Sequence, residues 1–166
     1  MVVKESMTWR ALETEAPEIA RLATERFERA GIALLGSVRG DGSPRISPVE
    51  PYFVEGHLLF GAMSWSGKTR DLIRDPRCVL HSAVSDPDGS EGELKLYGRV
   101  EEIEDAKIRE APGKAWWVGR PREDARVFSL EIERAAFVSW DAERGLMKTQ
   151  RWSPDAGYSE VERSYP

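Results

Sequence analysis

Residues 44–76, PRISPVEPYFVEGHLLFGAMSWSGKTRDLIRDP, constrain the fold most: extended runs alternate with turn signals and then give way to a helix start. Pro48 and Pro51 fall inside what otherwise reads as one strand over 45–55. Neither has an N–H for a ladder bond, so this strand is expected to be bulged or to lie at a sheet edge. Glu55, Gly56 and His57 turn the chain into a further extended run, HLLFGAM. The next turn carries Ser64, Ser66, Gly67, Lys68 and Thr69, where KTRDLIRDP opens as one or two helical turns stopped by Pro76. Free N–H groups and the positive end of a helix dipole meet there beside a lysine, which suits a phosphate without a metal or an acid/base pair.

The flanking chain supports that turn with β structure. Upstream, Ile19, Leu22, Ala23, Phe27 and Ala30 recur at helical spacing over 17–30, with Pro17 suited to the first turn and Gly31 to the exit. IALLGSV, the RGDGSP turn and the strand from Arg45 then form a hairpin. Downstream, RCVLHSAV and GELKLYGRVEEIE read as strands, the latter with Lys95, Tyr97 and Arg99 on one face and Leu94, Leu96 and Val100 on the other. Residues 105–126 begin as a helix broken by Pro112, Gly113, Gly119 and Pro121. VFSLEIE and AAFVSWD follow, with a bend or bulge at 133–135, and GLMKTQRW is the final strand. At least six strands with short connections predict a mainly β fold, a six-stranded antiparallel barrel with a few flanking helices. One domain spans 1–166, with an N-terminal arm over 1–15, its first eight or so residues mobile, and a polar C-terminal tail over 154–166.

Composition narrows the function. At 166 residues the chain has room for one core burying roughly 70% of the surface of the unfolded chain. Asp and Glu number 29 against 24 Lys and Arg, a net charge of −5, and no basic run follows a nucleic-acid backbone. Nucleic acid is therefore not an expected partner. No apolar run approaches the ~20 residues of a membrane span, and MVVKESMTWR lacks the apolar centre of a secretion signal, so a cytoplasmic protein is expected.

Several motifs are excluded by spacing. GKT at 67–69 matches the end of the nucleotide-binding loop GxxxxGK[ST], but the required first glycine falls on Ala62, and Gly61 lies one residue too far back. Cys78 and His81 are three apart on a strand and point to opposite faces, which disfavours a metal site. There is no G-x-S-x-G elbow, and His57 and His81 are the only histidines for a hydrolytic triad.

The order R-x-S-P, apolar strand, S-x-K-x-x-x-L, then D-P-R resembles the pyridoxamine 5′-phosphate oxidase-like family, the FMN-binding split barrels of Greek-key type. Here these are Arg45, Ser47 and Pro48, then Ser66, Lys68 and Leu72, then Asp75, Pro76 and Arg77. The resemblance extends over 16–104 and more weakly over 127–152. It implies a homodimer with two FMN sites at the subunit interface. Carried over by position, Arg45 and Lys68 are the phosphate cations, with hydroxyls from Ser47, Ser66 and Thr69. Backbone around 46–49, including Ile46 and Pro48, and around 62–64, including Met63 and Ser64, meets the polar edge of the ring, and Trp140 or Trp152 packs against it.

The chain departs from the family's namesake oxidases, which place an Arg-x-His pair late in the sequence. WWVGRPREDAR offers Arg122, Asp124 and Arg126 but no histidine, so pyridoxamine phosphate is not the expected substrate. Relatives use a deazaflavin coenzyme or bind haem. The reading is thus an FMN-dependent oxidoreductase acting with a small-molecule substrate or electron donor. The alternatives are a deazaflavin-dependent reductase of the same fold and a non-catalytic protein that binds a flavin or other phosphorylated ligand. Trp116, Trp117, Trp140 and Trp152 are candidates for the apolar seam of a homodimer.

Overall fold

Period-two alternation of apolar and polar residues builds one nine-stranded antiparallel sheet in the computed structural model, which describes residues 9–166. The strands are β1 (Ala33–Val38), β2 (Pro44–Val49), β3 (Tyr52–Val54), β4 (His57–Met63), β5 (Arg77–Ser82), β6 (Glu93–Glu102), β7 (Ala125–Asp141), β8 (Leu146–Ser153) and β9 (Gly157–Ser164). Their order is β2-β1-β5-β6-β7-β4-β3, and β8 and β9 extend the sheet from β7. Four helices accompany them: α1 (Trp9–Glu15), α2 (Pro17–Ala30), α3 (Gly67–Arg74) and α4 (Ala106–Glu110).

The class is the expected one, but nine strands stand where six were predicted. Pro51 divides the 45–55 run, so that β2 pairs with β1 while β3 pairs with β4. The polar tail is in fact strand β9, paired along its length with β8. Its polarity reflects exposure, since even Tyr158 and Val161 are 43% exposed. At the other end, residues 9–15 of the expected arm form α1, whose Trp9 and Leu12 enter the core; the mobile stretch predicted before them lies outside the described residues. The bulge expected at 133–135 occurs where Tyr97 pairs with Arg134 and Gly98 with Ile132, leaving Glu133 as the extra residue in β7.

The main core lies between the sheet and α1–α2. Ile19, Ala23 and Phe27 of α2 pack with Trp9, Leu35, Leu80 and Leu96. Gly31, at φ 68, ends α2 by donating its N–H to Phe27 O at 2.8 Å. A smaller cluster gathers Leu59, Val127 and Val54 around Trp117, which is 1% exposed. That indole closes over Gly61 of β4, where a Cβ would lie 2.3 Å from Trp117 Cε3.

Candidate functional site

The sheet is not closed. β2 is an edge strand, and although it touches β4 the two share no ladder. Between them opens a cavity of about 700 Å³, walled by Pro48 and Val49 on one side and by Gly61, Ala62 and Met63 on the other. Lys68 enters from α3, and Trp65, Trp116, Arg120 and Asp124 form the outer wall. This volume lies in the range of sites for small molecules and cofactors, roughly 300–1,000 Å³.

The start of α3 is built from its own turn. Ser66 caps the helix, its Oγ accepting from Thr69 N at 3.3 Å and lying 3.0 Å from Thr69 Oγ1. Thr69 Oγ1 in turn donates to Met63 O at 2.8 Å. Both hydroxyls are therefore engaged in shaping the cap. The backbone N–H groups of Gly67 and Lys68 have no hydrogen-bond partner among the described residues. Those two donors and the helix dipole make the end of α3 electropositive.

Two cations flank it. Arg45, on β2, donates from Nε to Asp71 Oδ2 at 2.5 Å, while its terminal nitrogens make no hydrogen bond among the described residues. Its guanidinium lies over Gly67, where a Cβ would be 3.0 Å from Cζ. Only glycine leaves that space free. Lys68 Nζ donates to Pro48 O, and burial holds its ammonium below the ordinary lysine range.

The other predicted residues are distributed differently. Met63 lines the cavity, 42% exposed. Ser64 turns to the 112–124 segment, its N–H donating to Asp124 O at 3.1 Å and its hydroxyl to Glu123 O. Ser47 is half-buried and Ile46 is 74% exposed; neither lines the cavity. Trp140 and Trp152 border a second cavity, about 770 Å³, on the β6–β9 face, and so stand apart from Arg45 and Lys68 within one chain. Trp152 Nε1 also donates to Glu15 Oε2 at 3.1 Å, tying β8 to α1.

Sequence reasoning did not assign Asp71 or Arg120 to the site, nor did it give Trp65 or Trp116 a place in the cavity. Arg120 Nε donates to Trp116 O at 2.8 Å, and the rest of its guanidinium has no hydrogen-bond partner among the described residues. Of the three charged residues weighed for substrate, Asp124 reaches the cavity. Arg122 and Arg126 instead share Glu102, each through two hydrogen bonds of 2.5 to 2.9 Å. The repeated arginines of GRPREDAR were a visible signal, but nothing in their spacing distinguished Arg120 from the two that form ion pairs.

An antiparallel sheet left open beside a cation-flanked helix start defines a split barrel with an electropositive mouth. The sequence matches the family model for pyridoxamine 5′-phosphate oxidase over residues 19–139, and the chain belongs to that family. Among solved structures it resembles PhzG from Burkholderia lata 383 in complex with tetrahydrophenazine-1-carboxylic acid, with a TM-score of 0.66 and 13% identity over 95% of this chain and 93% of that one. A pyridoxamine 5′-phosphate oxidase-related, FMN-binding protein from Nostoc punctiforme PCC 73102 matches with a TM-score of 0.61 and 13% identity, covering 90% of this chain and 96% of that one. A heme-binding protein from Mycobacterium smegmatis matches with a TM-score of 0.56 and 16% identity over 87% of this chain and 88% of that one. At such identities these structures show the shared fold. No curated protein matches the sequence.

Proposed function

We propose that the cavity in the split binds FMN with its phosphate at the start of α3, and that the protein is an FMN-dependent oxidoreductase. The observation that carries this reading is the unused fork of Arg45 lying over Gly67, at a helix start whose Gly67 and Lys68 N–H groups are unpartnered among the described residues, with Lys68 lining the adjoining cavity. The group fits the donors present. A phosphate monoester carries nearly two negative charges and accepts strong bonds from a guanidinium fork, an ammonium and helix-start amides. Ser66 and Thr69 serve it indirectly, by fixing the cap. β2 pairs with β1 alone, so its outer side offers backbone groups to the polar edge of a ring.

Bound FMN supplies two-electron redox chemistry, and the chain binds it, orients it and limits its contact with water. In the same cavity, Trp116 offers a flat apolar surface and Arg120 a cation. That pair suits a flat anionic substrate, of the kind represented by the phenazine-type carboxylic acid named for the Burkholderia neighbour. A homodimer belongs to the same reading. Met63, Trp65 and Trp116 are exposed at the cavity, Trp65 by 70%, and a second copy is the cover this reading assigns to them.

The visible spectrum of the purified protein, before and after adding FMN, tests the assignment. Flavin absorption that travels with the protein, bleached by a reduced nicotinamide and restored on turnover of an acceptor, is the expected result. A deazaflavin spectrum would replace the cofactor, binding without turnover would leave a carrier, and absence of any flavin binding would remove the reading.

A further inference from the structure

We propose that Asp71 is a positioning residue for Arg45 and that it sets the preference of the site for a phosphorylated over an unphosphorylated ligand. This rests on the reading that the start of α3 takes a phosphate.

Asp71 lies on α3 four residues after Gly67, on the same helical face, and is 4% exposed. Both of its oxygens are engaged. Oδ2 accepts from Arg45 Nε at 2.5 Å, and Oδ1 accepts from Arg74 Nη1 at 3.3 Å, while Arg74 also donates to Val38 O. The carboxylate is thus anchored between β1 and β2 and cannot turn freely. It takes the Nε edge of Arg45 and leaves the terminal fork unused. Had it gripped Nη1 and Nη2 end-on, the terminal fork would be occupied and only the flanking N–H groups would remain for a ligand. Instead Nη1 and Nη2 lie 3.1 and 3.0 Å from the point where a Gly67 Cβ would stand, beside the unpartnered amides of Gly67 and Lys68.

Two effects of the carboxylate oppose each other. Its negative charge repels an anion, yet it removes the entropy that a free arginine would lose on binding. Orientation prevails because the charge of the carboxylate is already met by its two ion pairs, with Arg45 and with Arg74, while Lys68 adds a further cation at the cavity.

The test is the ratio of FMN to riboflavin affinity, measured by quenching of flavin fluorescence, because a general structural defect weakens both ligands alike. In Asp71→Ala the preference for FMN falls by at least about tenfold, the equivalent of one charge-assisted bond, with riboflavin affinity unchanged. Asp71→Asn, which retains an acceptor for Nε, recovers part of the preference. Gly67→Ala leaves Asp71 intact but crowds the guanidinium, and lowers the same ratio if the fork faces the phosphate. If Asp71→Ala does not fold, Asp71→Ser, which also lacks the carboxylate, takes its place. Wild-type protein that prefers FMN, together with an Asp71→Ala or Asp71→Ser ratio equal to wild type, overturns the role of Asp71 alone. Wild-type protein that binds both flavins equally, or neither, overturns the phosphate site and this assignment with it.

Discussion

Lys68 Nζ lies 3.1 Å from the carbonyl oxygen of Pro48, so the second residue of α3 also bridges to the edge strand across the split. Proline leaves the strand without a ladder donor there, and lysine supplies a contact in place of the missing ladder. The same ammonium is half-buried at the mouth of the cavity, and its charge is what an anionic ligand would meet first.

FMN affinity is therefore expected to depend on pH through Lys68. Burial lowers its pKa, so the charge is lost at a lower pH than for an ordinary lysine. Binding weakens as pH rises through that lowered value and is complete below it. An FMN titration across the alkaline range should show this decline, and Lys68→Met should bind more weakly by ~1.5–3 kcal/mol at neutral pH without it.

Glu102 supplies acid-sensitive stability. Burial raises the pKa of this carboxyl, but hydrogen bonds from Arg122 and Arg126 outweigh that and hold it at about 2. Its folded value lies below the ~4.3 of an unfolded Glu, so its contribution is complete above that value and is lost as pH falls toward about 2. Glu102→Gln should lower the unfolding free energy by about 1–3 kcal/mol at neutral pH and flatten its acid dependence in that window, as read by urea unfolding.

Gly61→Ala places a methyl group 2.3 Å from Trp117 Cε3, within ring contact distance of a buried side chain that cannot swing clear. Overpacking of this kind costs ~1–3 kcal/mol. A lower Tm with altered tryptophan fluorescence is expected. An unchanged Tm would mean that the indole does not rest on β4.

Light scattering on a sizing column should give the mass of two chains. Trp65→Ser, which removes the most exposed indole at the cavity, should shift the equilibrium toward one chain. A wild-type protein that is monomeric at every concentration would contradict the two-chain site.

Legibility in the sequence followed the physics of each segment. β6 shows its period in LKLYG because one face packs on the core, and Ser66 announced the helix start because a cap needs a short polar side chain. Residues 111–124 have no period: they are turns held by Trp117 in the smaller cluster and by Arg122 on Glu102, contacts made with residues distant in sequence. β9 was hidden because both its faces are largely exposed, which gives a strand the composition of a tail. In the site, the charges of Arg45 and Lys68 were legible as types, but Asp71, which fixes how Arg45 is turned, became visible only when α3 was placed against β2.

The most direct measurement is the affinity of FMN for the wild-type protein and for the double variant Arg45→Ala/Lys68→Ala, with folding checked by circular dichroism. Loss of two charge-assisted bonds at ~1.5–3 kcal/mol each predicts a Kd raised by about a hundredfold or more. A folded double variant that binds FMN as tightly as the wild type would contradict the placement of the phosphate at the start of α3.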